Sequence, residues 1–172
     1  MRRWRRLPGC GRRGSVYKTL SNIVYNIIMK IVLDTNVVLA ALLSKRGASH
    51  RLLVWLFEAA QKHSVVSNTL LMEYGAILTR SEHMENYPQF SRDEIERFLD
   101  DIASISYHQK IHFLWRPFLR DASDDMVLEV AANAHAEAII TFNPRDFQGV
   151  TEHFGIEILS PGMFLNQQGV TP

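Results

Sequence analysis

Apolar residues return along this chain with two different periods, and their alternation predicts the fold. From residue 29 onward, short runs rich in β-branched residues are separated by longer stretches in which apolar positions recur every three or four residues. "KIVLD" (30–34), "SVVS" (64–67), "EAIIT" (137–141) and "GIEIL" (155–159) are of the first kind. Continuous apolar runs of this length, bounded by polar residues, suit buried parallel strands. A further strand is predicted near 105–108, in "SISYHQKIHF".

The second kind predicts helices over 36–43 and from about His50 to Lys62. Ser67 can cap another, running to about Arg80 on Leu70, Leu71, Ala76, Ile77 and Leu78. Ser91 with Glu94 makes a capping box for a helix ending near Ser104. The last long one follows "RDASDDM" (120–126) and reaches about Ala136 on Val127, Val130, Ala131 and Ala134, while "SPGMFL" sets Pro161 just after a Ser cap. "SEHMENYPQF" between the third and fourth helices reads as a polar linker. Strands separated by helices imply right-handed crossovers, so the expectation is a three-layer α/β/α domain around a central parallel five-stranded sheet.

Composition changes this picture at one end only. The 172 residues suit one domain, and 47% hydrophobic with 22% charged residues is a globular balance. Residues 1–28 stand apart: they carry seven basic groups and no acid, so twelve Lys and Arg face eighteen Asp and Glu in the rest, a net of −6. This stretch has no apolar run long enough to span a membrane and no clean signal-peptide pattern. It is read as a basic extension, disordered or produced by an upstream start, with a nucleic-acid or partner-binding arm and an organellar targeting segment as alternatives, and the folded domain over 29–168. Cys10 is the single cysteine, and no Cys/His spacing of zinc type occurs, which fits a cytoplasmic setting. An acidic body is a poor generic binder of phosphates, so a nucleic-acid substrate would need help from cations.

Ligand sites in parallel sheets form outside the carboxyl ends of the strands, and that rule gives the acids a meaning. Asp34 ends the first strand, Asp125 opens the helix leading into the fourth, and Asp146 follows that strand. Singly, each could be a cap or a turn residue. Converging, they would repel by roughly 4 kcal/mol per pair at about 4 Å and an effective dielectric of 20. A hard divalent cation such as Mg²⁺ or Mn²⁺ removes that conflict and can promote phosphodiester hydrolysis. Thr35, Asn36, Thr141 and Asn143 lie where they could orient carboxylates or waters.

"IVLDTNVVLAALLS", "SNTLLMEYGAILTR", "RDASDDMVLEVAANAHAEAIITFNPRDF" and "FGIEILSPGMFL", in this order, resemble the successive motifs of the PIN-domain family, in particular bacterial members regarded as toxin components of toxin-antitoxin pairs. The likeness spans about residues 29–166. It implies a metal-dependent endoribonuclease with four acids around Mg²⁺ or Mn²⁺, falling on Asp34, Glu73, Asp125 and Asp146. The third is placed by counting sixteen residues back from Thr141, which leaves Asp124 as a flanking acid able to take part and Asp121 as a loop or capping group. Asn143 stands where some relatives have Asp.

The resemblance also implies an RNA substrate, a cognate antitoxin that blocks the acidic pocket with a basic side chain, and a homodimer. Arg80, Arg116 and Arg145 are candidates to steer RNA phosphates, while Trp55, Phe57 and Trp115 could be core or contact residues. The competing reading is a non-catalytic binding module of the same architecture whose acidic rim takes a basic partner. A phosphatase of the haloacid type fits less well, because "DTN" lacks an acid two residues after the first Asp.

Overall fold

Residues 29–170 are described by a computed structural model. The basic extension predicted over 1–28 lies outside them.

Five parallel strands form where the apolar runs predict them: β1 (Ile31–Leu33), β2 (Val65–Val66), β3 (Tyr107–His108), β4 (Ala138–Ile140) and β5 (Glu157–Leu159). They do not form the expected single five-stranded sheet. β1, β4 and β5 make one three-stranded sheet with β4 in the middle, and β2 pairs with β3 in a separate two-stranded ladder. The two meet at a single bridge between Ile31 and Ser64, where the Ile31 N–H reaches the His63 carbonyl at 2.8 Å. The physical reason is length. β2 is two residues long, and its Ser64 and Val66 carbonyls are taken by Tyr107 and Gln109 of the β3 side at 2.8 and 2.7 Å.

The predicted helices are α1 (Thr35–Leu43), α2 (Ala48–Glu58), α3 (Asn68–Leu78), α5 (Arg92–Ile105), α6 (Ala122–Ala134) and α8 (Pro161–Gln167). α2 stops four residues short of the predicted Lys62, and α5 runs on to Ile105, leaving β3 only Tyr107 and His108, both exposed. The caps fall where the hydroxyls predict them: Ser67 accepts from Leu70 N, Ser91 and Glu94 close a capping box, and Ser160 accepts from Met163 N ahead of Pro161. Two single-turn helices add to the pattern, α4 (Ser81–Met84) inside the predicted polar linker and α7 (Val150–Phe154). Such short turns leave no apolar period to read.

Every residue of β1 and β4 is buried, so both faces of the sheet are covered there. α6 packs on β1, β2 and β4, and α3 packs on α1, α5 and α6. Each fully buried Ile, Val or Leu of these strands contributes roughly 1.5 to 3 kcal/mol. Tyr74 of α3 donates its hydroxyl to the Leu33 carbonyl and so fixes this helix against the end of β1. Among the described residues no helix is long and apolar enough to cross a membrane.

Candidate active site at the strand ends

Asp34 leaves β1 at its carboxyl end and caps α1, so the capping role expected of it is present. Its carboxylate accepts from the Asn36 backbone N–H at 3.4 Å, from Asn36 Nδ2 at 2.7 Å and from Thr141 Oγ1 at 2.6 Å. Its own N–H donates to the Ile140 carbonyl at 2.9 Å, tying it to the end of β4. At 6% exposure the carboxyl is held above its usual pKa by burial; bonds from Thr141, Asn36 and Thr35 pull it back, and Asp146 pushes it up again.

Asn36 and Thr141 hold this corner together. Asn36 Nδ2 also donates to Thr141 Oγ1 at 3.2 Å, and Asn36 Oδ1 accepts from the Phe142 N–H at 3.3 Å. Asn143 joins through its backbone, its N–H donating to Thr141 Oγ1 at 2.9 Å. The turn that follows carries Asp146, exposed, with its N–H on the Asn143 carbonyl at 3.1 Å.

α6 brings the remaining acids of the rim. Asp121 is its cap, accepting from Ser123 N at 2.9 Å and from the Ser123 hydroxyl, and these bonds lower its pKa. Asp121→Ala should therefore lower the melting temperature slightly and leave any RNA cleavage at the parent rate; a cleavage loss matching that of a rim acid would reassign it. Asp124 behaves differently. Half-buried and without a hydrogen bond among the described residues, it is pushed up to about 6, first by burial and then by Asp34, Asp121, Asp146 and Asp125. Asp125 is 1% exposed: Oδ1 accepts from Phe118 N at 3.3 Å and Leu119 N at 2.9 Å, while Oδ2 is buried without a partner.

Asp124 thus lies in the field of Asp34, Asp121, Asp146 and Asp125, and Asp34 in that of Asp146, while Asp125 is turned partly to the backbone of 118–119. Glu73 stands on α3 beside Tyr74, partly buried, and is not among the charges that raise Asp34 or Asp124. Tyr74 feels Asp34 as well as its own burial and stays protonated far above neutral pH. The donor set of this rim is all oxygen, and its acids disfavour each other's charge, which is the situation a hard divalent cation relieves. Among the described residues, no three His, Cys, Asp or Glu side chains are already gathered into an ion-holding cluster. The acids share a field rather than a finished coordination sphere.

Sequence patterning gives no hint of what braces α6. Asp125, Glu129 and Asn133, each four residues from the last, fasten the segment 112–119 along the helix. Asn133 Oδ1 accepts from His112 and Phe113 N–H at 2.9 and 3.1 Å, and its Nδ2 donates to the Phe113 carbonyl at 2.9 Å. Arg116 grips Glu129 with two bonds of 2.9 Å. Of the three arginines suggested for RNA, Arg116 is therefore engaged, whereas Arg80 and Arg145 are exposed and form no ion pair among the described residues. Trp55 packs edge-on against Phe164 and Trp115 against Phe154; Phe57 is partly exposed.

The sequence model of the PIN domain matches residues 30–145, about two thirds of the chain. The chain belongs to the PIN-domain family, whose fold is generally that of nucleases. The match ends one residue before Asp146. No curated protein matches the chain.

Proposed function

We propose that this chain is a Mg²⁺- or Mn²⁺-dependent endoribonuclease and the toxin component of a type II toxin-antitoxin pair. The observation that carries the hydrolytic reading is the shared field of Asp34, Asp124 and Asp146 at the ends of β1 and β4 and the start of α6. These three would hold the ion, with Glu73 and Asp125 completing the set that the family resemblance implies. When bound, such an ion compensates the carboxylates, orients a phosphodiester and acidifies a water. The chain's own groups prepare that site. Thr141 and Asn36 aim Asp34 Oδ2 and favour its charged form against burial. The positive end of α6 favours negative charge near its first turn, and Arg145, exposed and next to Asp146, would meet an RNA phosphate.

The toxin role rests on the resemblance, with one physical support: an acidic rim attracts a basic side chain inserted by an antitoxin. Homodimerisation belongs to the same proposal. A small neighbouring reading frame encoding a DNA-binding antitoxin is the expected genetic setting. The hydrolytic reading is tested with purified, antitoxin-free protein and total RNA. Cleavage should appear with Mn²⁺ or Mg²⁺ and stop with chelator; cleavage that persists in excess chelator would defeat the metal reading. Intact RNA together with no Mn²⁺ binding by calorimetry would turn the acidic rim into a docking face for a basic partner instead.

A further inference from the structure

Phe142 is an exposed aromatic on the turn between residues of the acidic rim. It lies between Thr141, whose hydroxyl donates to Asp34, and Asn143, on the turn leading to Asp146. Its side chain is 48% exposed and makes no ring contact among the described residues, unlike Trp55, Trp115 and Phe118, which each meet a neighbouring ring edge-on. Its backbone, however, is fixed: the Phe142 N–H donates to Asn36 Oδ1, and the same Asn36 holds Asp34 through Nδ2. One amide thus ties the Asp34 carboxylate to the main chain that carries the ring, so that backbone needs little ordering when a ligand is met.

We infer that Phe142 is a stacking platform for an unpaired base of the RNA next to the phosphodiester at the acidic rim. The inference rests on the nuclease reading above and adds to it the source of substrate affinity. The body outside residues 1–28 carries a net charge of −6, so a contact that does not depend on charge adds to whatever phosphate contacts supply. Base stacking on an aromatic side chain supplies it independently of charge, and only a base outside a duplex offers its face.

The test uses the full chain carrying Asp146→Asn, an exposed change intended to stop cleavage, and a fluorescent, short unpaired RNA oligonucleotide followed by anisotropy. Phe142→Ala should weaken binding by about 5- to 150-fold, the range of a lost base stack, and Phe142→Trp should restore it. A duplex of the same sequence should bind as weakly as the unpaired strand binds the Ala variant. In the cleaving protein, Phe142→Ala should raise KM and spare kcat. Equal binding by the parent and Phe142→Ala, or equal binding of duplex and single strand, overturns the inference. The two proposals fail separately: Phe142-dependent binding without cleavage by the unmutated chain defeats hydrolysis alone, and cleavage indifferent to Phe142 defeats stacking alone.

Discussion

Asp124→Asn should reduce RNA cleavage by at least about 100-fold and, in the same preparation, make the metal-free protein more heat-resistant at pH 7. The first effect follows from the place of Asp124 in the field of Asp34 and Asp146. Replacing even an outer partner of a metal ligand typically costs 10- to 100-fold, and a ligand itself more. The second follows from the same field with the opposite sign. Asp124 has no hydrogen bond to lose among the described residues, so removing its charge removes repulsion and burial cost. Its carboxyl titrates at about 6 in the folded chain and at about 3.9 when unfolded. Between those values the folded state binds more protons than the unfolded one, so stability falls as pH rises through that window and levels off above it. The full conversion would approach 3 kcal/mol. Partial exposure and the helix end reduce it to about 1 to 2 kcal/mol, or about 3 to 8 °C in a domain of this size.

Thermal melts in chelator test this directly. The advantage of Asp124→Asn should be largest at pH 7 and shrink towards pH 4; an advantage that is constant over that range would remove the electrostatic account. Asp125→Asn should behave otherwise, because its Oδ1 accepts from Phe118 and Leu119 N–H and an amide there can present a donor to those donors. It should lower stability at every pH. If Asp125→Asn instead stabilises the metal-free protein and Asp124→Asn does not, the two carboxylates have exchanged roles.

That contrast marks where sequence reading reaches and where it stops. Asp34 is legible because a β-branched run ends on it and a helix begins after it, so chain direction alone puts it at the sheet's carboxyl rim. Thr141 and Asn143 follow from β4 in the same way, and Ser67, Ser91 and Ser160 from local capping chemistry. Asp124 and Asp125 are not separable by such arguments. Neighbours on a helix point about 100° apart, and which one faces the rim depends on how α6 is rotated against β1 and β4. Counting back from Thr141 selects Asp125 and keeps Asp124 as a flanking acid able to take part, and it is on Asp124 that Asp34 and Asp146 act. The division of the strands into a three-stranded sheet and a two-stranded ladder is likewise invisible, since "SVVS" reads as a strand however many residues pair. Nor does any local pattern announce that the polar residues of α6 at positions 125, 129 and 133 bind a segment that precedes the helix.

Loss of that last set should have the largest effect on stability. Arg116→Ala would leave Glu129, 2% exposed, without the guanidinium that meets both its oxygens at 2.9 Å. Breaking a fully buried pair costs about 3 to 5 kcal/mol, chiefly through the stranded charge. Here the arginine side chain is 42% exposed, so water can reach part of the gap, and about 2 to 3 kcal/mol is expected, a fall in melting temperature of roughly 5 to 12 °C. If the stranded charge is the cause, Glu129→Gln in the Arg116→Ala background should recover part of the loss, because a neutral amide is cheaper to bury than a lone carboxylate. Arg116→Lys should fall between, keeping the charge and losing the fork. The segment tied by Arg116 continues to Phe118 and Leu119, whose N–H groups hold Asp125 beside the rim. Cleavage by Arg116→Ala should accordingly fall at temperatures well below its own melting point, while Asn133→Ala, at the far end of the segment, destabilises with less effect on cleavage. Equal cleavage by Arg116→Ala and the parent chain, measured where both are folded, would mean that the brace supports the fold alone and that Asp124 is positioned by the sheet.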